Sequence, residues 1–381
     1  MKKRLNDVLA CPECKSDLKL NVTKEIDSEI IEGSLLCEKC NTSYSITQGI
    51  PVLVKQKEKS SSQKSWLGEE VKQQSKVLSR LWFIVSNMIG LLFSPILALF
   101  GWSLDLMMRF KGLKSAIGIS DVRGLMIWHL RFMRPYDHLR MIEHALVLDM
   151  IRNSISDQDR EIIVDVGAEI SLFCSYLAKI GYRTAALDLD SAQMFWQHEL
   201  YSKKYKDKVK HPVNFIVASA TDLPLKNDSA NLCAISVIEH IEDDRAVFSE
   251  TGRVIGSDHN AFITFLYQEF PLRPGQKEAA WKRAREHHPA YGQPRNPGTH
   301  ILEPCGCVFE TEHYFWKKHC RKVKGFVNKL RIFERSVLFD YFVYVRLARW
   351  EQAVYPGKQA NQYKGREEAF QWAFKLSKSN T

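Results

Sequence analysis

Residues 161–190 read EIIVDVGAEISLFCSYLAKIGYRTAALDLD. A first apolar run ends at Asp165-Val166-Gly167, a helical pattern follows, and a second apolar run ends at Asp188. A small-residue loop after the first strand lets a ligand approach the backbone, and an acidic group after the second suits two ribose hydroxyls. This stretch therefore predicts the first β-α-β unit of an α/β domain that binds a nucleotide-like ligand.

The same pattern continues as far as residue 266. Strand-like apolar runs recur with helical patterns between them, at 161–166, 183–189, 213–217, 232–237 and 261–266. Strands that alternate with helices predict a parallel sheet covered on both faces. The expected fold is a doubly wound, Rossmann-like α/β domain over residues 145–270.

Ordered motifs in this domain resemble a class I S-adenosylmethionine (SAM)-dependent methyltransferase of the type 11 kind. They are VDVG at 164–167, AALD at 185–188, ATDLPL at 220–225, IEHI at 238–241 and ETGRVI at 250–255. The resemblance implies methyl transfer from SAM. The cofactor-binding positions that it implies are Asp165, Gly167, Glu169, Asp188, Ser219 and Ala220.

The first loop departs from the pattern of that family, which usually has three alternating glycines. Gly167 is present, but Glu169 and Ser171 stand at the next two positions, and Ser219 stands where the family often has an Asp near the adenine. Glu169 adds bulk and negative charge, although its carboxylate can also pair with the ammonium of the cofactor. A non-catalytic, methyltransferase-like scaffold therefore stays open as an alternative.

No residue spacing identifies a catalytic group. His240 follows the fourth predicted strand, and His287 and His288 fall in an Arg- and Tyr-bearing segment where an acceptor could enter. Histidine titrates near neutral pH and serves as a general base. These three histidines are the candidates, with a surface or loop-ordering role as the alternative for each.

Two cysteine pairs near the N-terminus predict a metal site. Cys11, Cys14, Cys37 and Cys40 have the spacing C-x2-C-x22-C-x2-C. Two such knuckles can present four thiolates to one tetrahedral zinc, which leaves no open position for a substrate. We therefore expect a structural zinc without a catalytic role.

The cysteines lie within LACPECKSDLKL at 9–20 and LLCEKCNTSYSITQGIPVLV at 35–54. Over about residues 4–54 this block resembles the Trm112-like zinc-ribbon module, which is found fused to or paired with methyltransferases. We expect a ribbon over residues 1–54, and a polar linker over 55–65 that separates it from the rest of the chain.

An uncharged block, residues 81–102, lies within a Leu-, Met-, Phe- and Trp-rich helical region at 66–144. Its length suits a membrane span, but Pro95 divides it into two pieces that are each too short to cross. A shallow, in-plane membrane association is the preferred interpretation. A true span and buried helices are the alternatives.

The chain has 381 residues and a net charge of +10, with 45% hydrophobic residues, which excludes wholesale disorder and collagen-like repeats. Residues 271–381 hold 21 of the 54 Lys and Arg but 10 of the 44 Asp and Glu. This segment is expected to be a basic, helical extension that suits anionic lipid or nucleic acid.

The sequence predicts methyl transfer from SAM to an amphipathic or membrane-held acceptor, either a lipid or a lipid-linked glycan intermediate. The apolar block favours this over an RNA methyltransferase, and no base-stacking motif is visible. Met1–Arg4 is followed by a polar stretch rather than a signal peptide. The expected location is the cytoplasm, at the cytoplasmic face of a membrane.

Overall fold

A single sheet contains strands from the N-terminal, central and C-terminal parts of the chain. The computed structural model describes residues 1–55, 119–132, 138–156, 161–169, 171–266, 297–315 and 371–378, with single positions and short runs between 85 and 103. These residues form an 11-stranded sheet of order β1-β2-β3-β4-β7-β6-β5-β8-β9-β11-β10. Its strands are β1 (Lys19–Ile26), β2 (Glu29–Cys37), β3 (Thr42–Thr47), β4 (Ile50–Leu53), β5 (Ile162–Val166), β6 (Arg183–Asp188), β7 (Asn214–Ala218), β8 (Asn231–Ile235), β9 (Ala261–Leu266), β10 (Cys307–Phe315) and β11 (Gln371–Lys378).

Five parallel strands, β7, β6, β5, β8 and β9, form the centre of the sheet. Every residue of β5 and β8 is buried, which explains their continuous apolar sequences. The helices are α1 (Ile119–Phe132), α2 (His138–Ser154), α3 (Phe173–Lys179), α4 (Ser191–Lys204) and α5 (Asp244–Ile255), with a helical turn at Glu303–Cys305.

Alternate residues of β5 face two different cores. Ile163 packs with apolar residues of α1 to α4, whereas Ile162 and Val164 pack with α5 and the N-terminal ribbon. The sheet is therefore covered on both faces, and the predicted doubly wound α/β fold is confirmed. The chain changes faces between β5 and β8, and ligands of such sheets bind outside the carboxyl ends of the strands at this point.

The N-terminal ribbon is continuous with the sheet of the α/β domain, so the two are packed together. The predicted linker at 55–65 lies, apart from Lys55, outside the described residues. Strands β1 to β4 pair antiparallel with one another, and β4 then pairs parallel with β7 through Val52–Val217 and Leu53–Ala218. Leu9 forms a further bridge to Leu225. Backbone hydrogen bonds and a shared core thus hold the ribbon on the sheet edge.

A network of charged groups reinforces this junction. Lys15, next to Cys14, donates to Glu250 Oε2 at 2.8 Å and to the Leu223 carbonyl at 3.2 Å. Arg253 donates to both carboxylate oxygens of Glu250 at 2.8 Å. The E-x-x-R motif of α5 therefore connects the methyltransferase-like domain to the cysteine knuckle.

Two strands of the C-terminal region complete the sheet. Strand β11 lies antiparallel between β9 and β10. The expected helical extension is therefore wrong for residues 307–315 and 371–378. Cys305 and Cys307 are joined by a disulfide immediately before β10. The rest of the extension, including most of its basic residues, lies outside the described residues.

The apolar block is described only at scattered positions. Leu91 packs against the core formed with α1 to α4, whereas other large apolar side chains point outward. The exposed residues are Val85, Met88, Leu92, Phe93, Ile96, Leu99 and Trp102. Within the part of the chain that the structure describes, every helix falls short of the length and apolarity needed to cross a membrane.

Candidate functional site

The four N-terminal cysteines meet at one point, as their spacing predicts. The sulfur atoms of Cys11, Cys14, Cys37 and Cys40 all lie within 4.8 Å of one another. Four sulfurs at about 2.3 Å from a tetrahedral zinc lie about 3.8 Å apart, so the cluster could bind a structural zinc with little adjustment. Both β2, which ends at Cys37, and the loop at Cys11 belong to the same buried core.

A second cluster lies where β5 and β6 end, at the switch point of the sheet. Gly167 follows β5 with φ +70°, and its amide donates to the Leu187 carbonyl of β6 at 2.8 Å. A β-carbon built on Gly167 would lie 2.4 Å from Cγ2 of Val237. Val237 therefore occupies the position that a side chain at residue 167 would take.

Glu169 occupies a left-handed conformation that L-residues rarely adopt, with φ +42°. Its backbone N–H donates to Asp188 Oδ2 at 2.9 Å. Its side chain is exposed and points toward Arg140, with 4.0 Å between Glu169 Oε2 and Arg140 Nη2. Glu169 therefore presents a carboxylate at the loop while its backbone is fixed to the end of β6.

Asp188 connects the ends of two loops. Oδ2 accepts from Glu169 N and Oδ1 accepts from Asp190 N, each at 2.9 Å. Burial raises the pKa of this carboxyl group, and the two amides oppose that effect. A carboxylate oxygen accepts more than one hydrogen bond, so Asp188 retains capacity for ribose hydroxyls. Asp190 caps α4 instead, accepting from Ala192 N and Gln193 N.

Arg140 is a site residue that no sequence motif predicted. It lies in the first turn of α2, and its Nη1 donates to the carbonyls of Ile235 and Ser236, where β8 ends. The side chain is 19% exposed. A fixed cation thus lies beside the Glu169 carboxylate at the switch point. No sequence signal marked it, because Arg140 is one of several polar residues at the start of this helix, with His138 and Glu143 beside it.

Asp165 is inside the sheet rather than on the ligand side. It is 2% exposed, and the thiol of Cys233 donates to Oδ1 at 3.4 Å. Burial raises the pKa of Asp165 to about 7, against the opposing effects of the Cys233 hydrogen bond and the charge of Arg140. Asp165 therefore lies buried under the loop that follows β5, where the thiol of Cys174 contacts its Oδ2.

A polar cluster surrounds Ser236, which has φ +49°. Its hydroxyl donates to the buried Glu143 Oε1 at 2.5 Å, and Thr264 Oγ1 donates to the same oxygen at 3.1 Å. Glu143, like Arg140, comes from α2 and was not predicted. Together they fix the backbone turn after β8, which carries Val237 against Gly167.

The remaining predicted site residues have separate positions. Ser219 follows β7 and caps a short 3-10 turn by accepting from Thr221 N at 3.4 Å, and Ala220 is the next residue in that turn. His240 is exposed in the turn after β8. His287 and His288 lie outside the described residues. The structure thus brings together Gly167, Glu169 and Asp188, but adds no catalytic assignment.

The chemistry of this donor set fits SAM. The cofactor carries an α-ammonium, an α-carboxylate and a ribose diol, and the switch point presents one carboxylate, one guanidinium and a second carboxylate. Gly167, Glu169, Asp188 and Arg140 are the residues that would hold it.

Comparison with known proteins identifies both parts of the chain. A family model described as a methyltransferase domain matches residues 164–259, and one described as a Trm112p-like protein matches residues 2–49. A UPF0434 protein of Nitrosococcus oceani is 39% identical over 56 residues, which are 15% of this chain and 81% of that protein.

Solved structures with a similar fold include two methyltransferases. Phosphoethanolamine N-methyltransferase 2 of Haemonchus contortus, in complex with SAM, has a TM-score of 0.40 and 16% identity over 61% of this chain and 52% of its own. Geranyl diphosphate C-methyltransferase of Streptomyces coelicolor has a TM-score of 0.40 and 14% identity over 62% of this chain and 77% of its own.

Proposed function

Since the chain belongs to the Trm112p-like family through its N-terminal domain and carries a methyltransferase domain at residues 164–259, we propose that it transfers a methyl group from SAM to an amphipathic or membrane-held acceptor. The acceptor is a lipid or a lipid-linked glycan intermediate. The observation that carries the proposal is the set of charged groups at the switch point, Glu169, Asp188 and Arg140, which suits the polar groups of SAM.

The protein acts in this reaction mainly by binding and alignment. SAM supplies a methyl group that is already activated by a positively charged sulfur, so positioning of the acceptor provides much of the rate. Asp188 binds the ribose hydroxyls through lone pairs that its two backbone donors leave available. Ser219 and Ala220 follow the neighbouring strand β7, and in this proposal they contact the adenine.

The exposed apolar residues between 85 and 102 support a membrane-held acceptor. Leu91 attaches this segment to the core, while Leu92, Ile96 and Leu99 are each more than 60% exposed. These side chains stand on both sides of Pro95, and exposed apolar side chains of this kind suit contact with a lipid surface. Basic residues flank the segment in sequence, at Arg80 and at 109–114, and these would attract anionic headgroups.

The acceptor class is tested by the fate of a labelled methyl group. Purified protein is incubated with SAM that is tritiated at the methyl group, in separate reactions with a bacterial polar-lipid extract, total RNA and soluble protein. We expect label in the lipid fraction only. Label in RNA would establish the RNA methyltransferase instead, and a protein that binds neither SAM nor S-adenosylhomocysteine would be a scaffold.

The membrane surface is tested separately by sedimentation with vesicles of phosphatidylcholine and phosphatidylglycerol. The double variant Leu92→Glu/Leu99→Glu is expected to lose vesicle binding. The matched control Val22→Glu/Ile26→Glu places the same charges on exposed apolar positions of β1 and should bind as the wild type does. Equal binding by all three proteins would exclude the segment as the lipid-contacting surface.

A further inference from the structure

We propose that Arg140 and Glu169 together bind the amino-acid end of SAM, with Arg140 taking the α-carboxylate and Glu169 the α-ammonium. This inference rests on the proposed function and assigns a role to two residues at which the chain departs from the glycine-loop pattern. The first loop would then recognise its ligand by a pair of opposite charges rather than by exposed glycine backbone.

The position of Arg140 is fixed independently of Glu169. Its Nη1 donates to the carbonyls of Ile235 and Ser236 at the end of β8. A guanidinium has five N–H donors, and Nη2 of Arg140 lies on the side of the loop, 4.0 Å from Glu169 Oε2. The planar group is suited to a bidentate contact with a carboxylate.

The position of Glu169 is fixed by its backbone. Its N–H is held by Asp188, and its φ of +42° is a conformation that a glycine would adopt without strain. A glutamate at this position therefore costs stability relative to glycine. A carboxylate held at the switch point in spite of that cost is explained by an interaction with a cationic ligand group.

The charged groups of Arg140 and Glu169 are far enough apart for the zwitterionic amino-acid end of SAM to contact both. Arg140 Nη2 and Glu169 Oε2 are 4.0 Å apart, and the Glu169 side chain is 48% exposed. Ion pairs with this degree of exposure contribute little free energy, so the contact can be exchanged for two contacts with a ligand at small cost. An amino acid carries both complementary charges on groups bonded to the same Cα atom, which matches two opposite charges at this separation.

The test measures binding rather than turnover. Isothermal titration calorimetry is performed with S-adenosylhomocysteine, with decarboxylated SAM, which lacks the α-carboxylate, and with 5′-methylthioadenosine, which lacks the whole amino-acid end. Arg140→Met and Glu169→Gln should each weaken binding of S-adenosylhomocysteine by about 10-fold or more, and methylthioadenosine binding should remain within about twofold of wild type.

Decarboxylated SAM distinguishes carboxylate binding by Arg140 from ammonium binding by Glu169, because it retains only the ammonium. Arg140→Met should leave its affinity nearly unchanged, whereas Glu169→Gln should weaken it by about 10-fold. Arg152→Met is the matched control, because it removes another arginine of α2, one that pairs with Asp121. Thermal unfolding of each variant verifies folding, and Glu169→Gln, at an exposed side chain, keeps the test decisive if Arg140→Met fails to fold.

Three results would overturn the assignment. An equal loss of affinity for all ligands would show that the pair only supports the loop. Tighter binding by either variant would show that the ion pair blocks the site. If the wild type binds methylthioadenosine but not S-adenosylhomocysteine, this inference fails while a nucleoside site remains; if the wild type binds none of the ligands, the proposed function fails with it.

Discussion

Val237 packs against the Cα atom of Gly167, and a β-carbon on that glycine would lie 2.4 Å and 2.5 Å from the two methyl carbons of Val237. The turn after β8 and the loop after β5 are therefore in direct contact at the switch point. Glycine is required at position 167 by this contact and by its φ of +70°. Its presence in the motif is explained within the protein, before any ligand binds.

Gly167→Ala is expected to destabilise the fold by about 2–4 kcal/mol, because it adds a positive-φ side chain and a steric overlap. The double variant Gly167→Ala/Val237→Ala should be less destabilised than the sum of the single variants, since truncation of Val237 removes the overlap. Urea unfolding of the four proteins measures this coupling. Strictly additive effects would mean that the two residues do not interact.

Purified protein should contain about one zinc per chain. Cys37→Ser should release the metal and lower the melting temperature of the whole protein, because the ribbon and the α/β domain share a sheet and a core. Cys174→Ala, at a buried cysteine outside the cluster, should keep the metal. A ribbon that melts alone, with the α/β transition unchanged, would contradict the structural coupling.

Glu250→Gln is expected to destabilise the protein by about 1 kcal/mol at pH 7, since the carboxylate binds both Lys15 and Arg253 and is partly screened by solvent. Burial alone would raise the pKa of Glu250, but these two cations lower it below its usual value. A lowered pKa stabilises the fold above the unfolded value of about 4.3, and this contribution is lost as the pH falls below it.

The difference between wild type and Glu250→Gln should therefore shrink on acidification below about pH 4.3. Glu199→Gln is the control, because Glu199 pairs with Lys203 on the exposed face of α4. Its unfolding free energy should match that of the wild type at pH 7. If the loss of unfolding free energy caused by Glu250→Gln is the same at pH 3.5 and pH 7, the charge of the carboxylate contributes nothing to stability.

Asp165→Asn is expected to change the pH dependence of stability in the opposite sense. With its pKa raised to about 7, Asp165 is protonated in the folded protein between about pH 4 and pH 7, whereas the unfolded chain is ionised there. Wild-type stability should fall as the pH rises through this range. Between pH 5 and pH 8 the variant should gain about 1–3 kcal/mol relative to wild type.

Unfolding by urea at these two pH values measures the gain. An unchanged difference between the two proteins would mean that Asp165 titrates at its ordinary pKa in the folded state. The pKa of Asp165 stays raised because its partners are the buried thiols of Cys174 and Cys233. Thiols are weak hydrogen-bond donors, so they compensate only partly for the lost hydration of a carboxylate.

Local patterns in the sequence were sufficient for the central strands and the cysteine cluster. The apolar run at 161–166 became β5 at Ile162–Val166, and four cysteines in two tight pairs met at one point. Both features depend on side chains close in sequence. The same holds for Asp188, whose place at the end of β6 was predicted from the strand that it terminates.

The missed features depend on contacts between distant segments. Arg140 and Glu143 reach the site only because α2 crosses the ends of β8 and β9.

Strand β11 was missed for a different reason, because its sequence QWAFKLSK does alternate. Trp372, Phe374 and Leu376 stand at every second position, with Lys375 and Ser377 between them. This period of two predicts a strand, and it lies in a region that was expected to be helical.

The parallel pairing of β4 with β7 has a consequence for synthesis of the protein. Val52 leaves the ribosome early, but its partner Val217 is made only after the intervening chain, a delay on the order of 10 s at typical elongation rates. Throughout this interval the edge of β4 has no β7 to cover it, and open strand edges promote aggregation. Nascent chains are thus most vulnerable before residue 218 emerges, and chaperones would have most effect on yield in that window.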